Sequence, residues 1–200
     1  MKMPLRPLKR GLEVSLKAVA DTHKGQRITL WFQDEARIGQ KGRVCHRWYR
    51  KGQRPPGLAD KRFTFAYIFA AVCPGTDEAF AWVMPSANKV TMQHFLDEFA
   101  AERDADEHAV MVLDGAGWHD ARALDVPANM TLVALPAYSP ELNPVERLWL
   151  YLKERFLSHR LLDDYDAILE AACKAWNNLT TEPGRVKSLC SYDWITEVKH

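Results

Sequence analysis

The sequence predicts an α/β fold, a mixed five-stranded sheet with helices on both faces. Three observations lead there. Residues 27–36, 63–72 and 79–84 read as successive strands joined by turns, the pattern of an antiparallel meander. Two later apolar runs, 109–114 and 130–135, are each reached through a helical pattern, which makes them crossover strands. The fourth strand of such a sheet can lie beside the first, and ligands favour the edge where parallel strands end.

Each element has its own warrant. In RITLWFQDEA (27–36), alternation puts Ile28, Leu30, Phe32 and Asp34 on one face and Thr29, Trp31, Gln33 and Glu35 on the other. Asp34 therefore closes a line of apolar residues. FTFAYIFAAV (63–72) is strongly strand-like, Pro74-Gly75 turns the chain, and 79–84 return. Residues 91–103 carry Met92, Phe95, Leu96 and Phe99 at helical spacing. AVMVLD (109–114) is a buried strand that again ends in an acid, Asp114. A short helix over 120–124 and a strand over 130–135 follow. Residues 163–178 form a further helix with Ile168, Ala172 and Trp176 inward, and the tail 179–200 holds one more short helix.

Composition bounds the class. Of 200 residues, 47% are hydrophobic and 26% charged, which is ordinary for a globular chain, and the formal net charge of +1 excludes nothing by itself. No apolar run reaches membrane-spanning length, and the basic N-terminus lacks the apolar core of a signal peptide. Cys45, Cys73, Cys173 and Cys190 form no C-x-x-C pair, so free thiols in a reducing cytoplasm are expected. Residues 1–26 read as a basic segment or linker remnant, with a short ordered piece around Leu12, Val14, Leu16 and Val19, and no complete helix-turn-helix fits there.

Positive charge is concentrated in 37–62. Arg43, Arg47, Arg50, Lys51 and Arg54 surround Trp48 and Tyr49, and a strand over 43–50 between glycine turns would present them as a hairpin. Such a run is commonly plain solvated surface. It is also the footprint of a phosphate-binding surface, and DNA is the partner it would suit.

Residues 132–156, LVALPAYSPELNPVERLWLYLKERF, pass from strand through loop to helix. Asn143 suits an N-cap and Pro144 the first helical position. Val145, Leu148, Trp149, Leu152 and Phe156 form one buried face. Glu146 has the position of a capping-box acid, reaching back to Asn143. Two strand-end aspartates give it a second role. Three carboxylates meeting at one point repel unless a cation sits among them, and a small all-oxygen set suits Mg²⁺ or Mn²⁺. Two such ions about 3.5–4 Å apart support in-line phosphoryl displacement by water or a DNA 3′-hydroxyl.

Three motifs carry a family resemblance: WFQDEARIGQKG (31–42), VLDGAGWH (112–119) and LPAYSPELNPVERLWLYLK (135–153). They stand in the order found in the catalytic domain of DDE transposases of the mariner superfamily, on the bacterial insertion-sequence side, and the chain resembles that family over 27–160. The resemblance implies an RNase H-like fold, with 27–160 as catalytic domain and 161–200 as a helical extension. It implies Asp34, Asp114 and Glu146 as metal-binding catalytic triad, two Mg²⁺ or Mn²⁺ ions, and cleavage and strand transfer of DNA at element ends. Trp118, His119 and Asn143 fall beside the acids as supporting residues. Relatives carry helix-turn-helix domains before the catalytic domain; a separate protein or upstream reading frame would supply them here, and a homodimer would hold two DNA ends. The chain is then a cytoplasmic, nucleoid-bound protein. The competing readings are a domesticated DNA-binding module without catalysis and a general RNase H-like nuclease.

Overall fold

The computed structural model describes residues 5–40, 48–53, 62–115, 123–135, 140–158 and 160–198. The elements are α1 (Leu5–Thr22), β1 (Arg27–Gly39), β2 (Phe65–Val72), β3 (Ala79–Met84), α2 (Lys89–Ala101), β4 (Glu107–Leu113), β5 (Met130–Ala134), α3 (Val145–Leu152), α4 (Tyr165–Thr180), α5 (Arg185–Cys190) and α6 (Asp193–Val198). The strands form one sheet in the order β3-β2-β1-β4-β5. β1 pairs antiparallel with β2 and β2 with β3, while β4 runs parallel to both β1 and β5. This is the expected mixed sheet, with the fourth strand beside the first.

Both faces are covered. Trp31, Phe69 and Met111 face α2, where Phe95 and Phe99 complete an aromatic cluster. Leu30, Phe32, Ile68 and Val112 face the other layer, built from α3, α4 and the short C-terminal helices. The alternation read from 28–35 is thus the division between two cores.

The start of the sheet fixes its register. Arg27 stands opposite Glu107, and their side chains form an ion pair at 3.0 Å. Thr29 Oγ1 donates to the buried Glu107 carboxylate at 2.6 Å. A one-residue slip would break these bonds and turn every β4 side chain to the wrong core.

Several expectations are corrected. β1 does not stop at 36 but runs on to Gly39, because its far end pairs with β2 (Ile38↔Ala66, Gly39↔Phe65). The short ordered piece near the N-terminus is an 18-residue helix that buries Leu12 in the core and packs Leu16 and Val19 against it. α3 continues into a widened π turn, Lys153–Leu157. The tail contains two short helices, α5 and α6, instead of one. Of the strand expected over 43–50, residues 48–50 are not strand, and 41–47 lie outside the described residues, as does most of the helix expected over 120–124.

Candidate active site

Asp34 lies inside β1, not at its end. It pairs with Ala70 of β2, and on its own face it stands between the buried Phe32 and Ala36. Aspartate is a poor residue for a strand interior, and strand termination cannot account for it here. The β1–β4 ladder closes at Phe32↔Val112. Asp34 therefore lies two residues beyond the last β1–β4 pair, where β1 is paired with β2 alone.

The carboxylate is tied down by an indole. Trp149, buried on α3, donates its Nε1–H to Asp34 Oδ2 at 2.9 Å. Glu146, one turn earlier on α3, is exposed at the same place. Burial pushes the Asp34 carboxyl up to about 7, the negative charges of Glu146 and Glu35 add to the rise, and the Trp149 bond opposes it.

Asn143 joins the two acid-bearing elements. It is buried, donates from Nδ2 to the Gln33 carbonyl at 2.9 Å, and accepts the Val145 N–H at 3.1 Å. One side chain thus pins the start of α3 to the residue before Asp34. The expected capping box does not form. The cap position falls on Pro144 without a side-chain cap bond, and among the described residues no hydrogen bond commits the Glu146 carboxylate to the helix. Behind this turn, the Arg147 guanidinium lies 4.2 Å from the Tyr192 ring centroid, and the buried Cys190 thiol contacts the Pro144 carbonyl. Burial pushes that thiol up to about 12, so it remains an uncharged packing group.

Asp114 is the first residue after β4 and is exposed. Like Asp34, it lies two residues beyond the last β1–β4 pair, Phe32↔Val112. The structure brings Asp34 and Glu146 together. It does not draw Asp114 in to complete a cluster: among the described residues, no group of three His, Cys, Asp or Glu side chains is close enough to hold a metal.

The remaining expected residues divide by position. Arg50 and Lys51 are exposed in a turn closed by Gln53 N–H to the Arg50 carbonyl, beside a fully exposed Trp48. Arg43, Arg47, Arg54, Trp118 and His119 lie outside the described residues. Sequence reasoning counted Trp149 only as part of an apolar face. Its signal was present, because a buried indole N–H needs an acceptor and Trp149 lies one turn beyond Glu146.

A family model for DDE superfamily endonucleases matches residues 29–169, which takes in all three acids. The chain belongs to that family. A curated relative in Sinorhizobium fredii, the uncharacterized protein y4pE/y4sA, is 43% identical over 130 residues, covering 65% of this chain and 96% of the relative. Among solved structures, this DDE superfamily endonuclease is similar to the Mos1 strand transfer complex, with TM-score 0.61 at 13% identity over 100% of this chain and 61% of that one. It is also similar to the catalytic domain of Mos1 mariner transposase, with TM-score 0.52 at 16% identity, covering 96% of this chain and 98% of that domain. The chain thus spans about three fifths of the longer Mos1 chain and nearly all of its catalytic domain. At these identities the likeness is one of fold, RNase H-like. The resemblance drawn from the motifs holds for the DDE superfamily and for the fold, which is that of the Mos1 catalytic domain. No helix among the described residues is long and apolar enough to cross a membrane.

Proposed function

We propose that this DDE superfamily endonuclease is a transposase catalytic domain that cleaves DNA and transfers strands at insertion-sequence ends, using divalent ions held by Asp34, Asp114 and Glu146. The observation that carries the reading is the Asp34 carboxylate, half-buried inside a strand and beside Glu146. The donor set fits the ion: all-oxygen and anionic, which suits Mg²⁺ or Mn²⁺. Mos1, whose fold this chain shares, is described in paired-end complexes with Mg and with Mn and in a complex with a transposon end. Bound, two such ions stabilise the charge that develops on the attacking and leaving oxygens of a phosphodiester.

The chain's own residues have separate tasks in this reading. Asp34 holds a fixed carboxylate, bonded by the Trp149 indole at Oδ2 and by the Glu35 backbone N–H. Glu146 supplies charge from a helix start that Asn143 anchors to β1. Asp114 closes the set from the neighbouring strand end, and the Arg50–Lys51 turn offers phosphate contacts that carry no sequence information. The DNA takes part as element end and as target, with two copies of the chain holding two ends.

The test is Mn²⁺ binding by calorimetry on the wild type beside Asp114→Asn, without DNA and with a short duplex. Uptake by the wild type and its loss in the variant support a three-acid centre. No uptake under either condition overturns it and leaves a DNA-binding module without catalysis.

A further inference from the structure

A cavity of about 360 Å³ opens beside the acids, between the end of β1, the start of β2 and the helix formed by α3 and its π turn. Glu146 lies on its rim and Trp149 lines it, so the cavity adjoins the candidate active site. Its base is the Phe65 ring, with the Arg37 guanidinium 4.4 Å from the ring centroid. Gly39 permits this arrangement: a Cβ there would collide with the Phe65 ring and the Thr64 carbonyl. Leu150, 47% exposed, forms an apolar wall, and Lys153 adds a second cation. Among the described residues neither Arg37 nor Lys153 belongs to an ion pair.

We propose that this cavity is a subsite for one unpaired nucleotide of the DNA strand being cut. It rests on the proposed function for its substrate class and adds a site that the three acids do not supply. Size sets the first limit, because the volume falls in the range of small-molecule pockets, too narrow for a base pair and sufficient for a single nucleotide. Chemistry sets the second. A guanidinium on an aromatic ring makes a flat shelf on which any base stacks, and Leu150 faces it as apolar cover. Lys153 is the point charge for the adjoining phosphate. Position sets the third. Glu146 and the Trp149 that bonds Asp34 both line the cavity, so a nucleotide seated here lies next to the proposed metal centre. Unstacking that nucleotide exposes the phosphate, and a single cavity with a sequence-tolerant shelf suits the task.

The experiment uses a short single strand carrying 2-aminopurine, its abasic counterpart and a duplex of the same length, with Ca²⁺ present. The wild type is expected to quench the 2-aminopurine and to bind the base-containing strand about tenfold tighter than the abasic one. Arg37→Ala and Leu150→Ala erase that preference, while duplex binding and Mn²⁺ uptake stay within about twofold and the melting temperature holds. Equal binding of abasic and base-containing strands overturns the subsite, as does a parallel loss for strand and duplex in both variants. A wild type that selects the base but takes up no Mn²⁺ upholds the subsite and overturns the metal reading. Mn²⁺ uptake without base selection does the reverse.

Discussion

The Trp149 indole Nε1–H and the Asp34 Oδ2 meet at 2.9 Å, across 115 residues of sequence. The bond fixes Oδ2 of the carboxylate, and the Glu35 backbone N–H also donates to the group. If Asp34 is a metal ligand as proposed, loss of the group that orients it lowers metal affinity about 10–100-fold. Trp149→Phe keeps the ring in the core and removes only the donor. Its Mn²⁺ affinity should fall about tenfold or more, with a stability loss of about 1 kcal/mol. Calorimetry with a melting curve checks both, and an unchanged Mn²⁺ affinity would show that the bond is packing alone.

The Asp34 carboxyl makes stability depend on pH. Its value in the folded chain is raised to about 7, above the 3.8 of an ordinary aspartate, chiefly by burial. The folded state therefore holds a proton that the unfolded state has released. The stability this contributes is complete below the unfolded value and is lost as pH rises through about 7. Asp34→Asn carries no such charge. Its stability advantage over the wild type should grow by roughly 2–3 kcal/mol between about pH 5 and about pH 8, measured by urea unfolding without metal. Saturating Mn²⁺ should remove the advantage, since the ion replaces the proton. A difference that stays flat with pH would place the Asp34 carboxyl in the ordinary range.

Asn143 is a staple whose two halves can be tested apart. Replacing it by alanine leaves the Gln33 carbonyl and the Val145 N–H without their side-chain partner in a buried place. The expected cost is roughly 2–4 kcal/mol in urea unfolding, from an unpaired acceptor and an unpaired donor. Asn143→Asp keeps the acceptor for Val145 and loses the donor to Gln33. If the tie to β1 is what holds α3, the aspartate variant should be as destabilised as the alanine one; recovery to wild-type stability would assign the role to the helix start alone.

These three residues also show what a sequence can and cannot disclose. Alternation over 28–34 was enough to place Asp34 on the face that α3 covers, since a period of two is visible without knowing the partner strands. Helical spacing from Val145 to Leu152 gave the buried face, including Trp149. Periodicity reports a face and not a hydrogen-bond partner, so the need of the buried Trp149 indole for an acceptor was legible but its partner, Asp34, was not. The length of β1 was hidden because Asp34, Glu35 and Ala36 are weak strand formers, and only pairing with β2 carries the strand through them. α1 was hidden by Pro7 and its basic residues; packing of Leu12 against the core is the non-local evidence for it. The capping box was a local pattern that lost to a tertiary contact, because Asn143 points its amide across to β1.

Gly39 and Gly11 give a pair of opposite predictions from the same substitution. Gly39 faces Phe65 so closely that a methyl group would strike the ring and the Thr64 carbonyl. Backbone cannot yield there without opening the β1–β2 ladder, where Gly39 pairs with Phe65. Gly39→Ala should cost about 1–3 kcal/mol as overpacking, and in moving Phe65 it should also weaken single-strand binding. Gly11 lies in α1 with nothing within 4 Å of an added Cβ, and its position is exposed. Gly11→Ala removes backbone freedom from the unfolded chain and should stabilise by about 0.5–1 kcal/mol. For a chain of this size, that separates the two variants by roughly 3–16 °C in melting temperature. If Gly11→Ala failed to stabilise, α1 would not be held as a helix in solution. If Gly39→Ala were neutral, the end of β1 would give way easily, and the shelf that Phe65 forms for Arg37 would not be a fixed feature of the site.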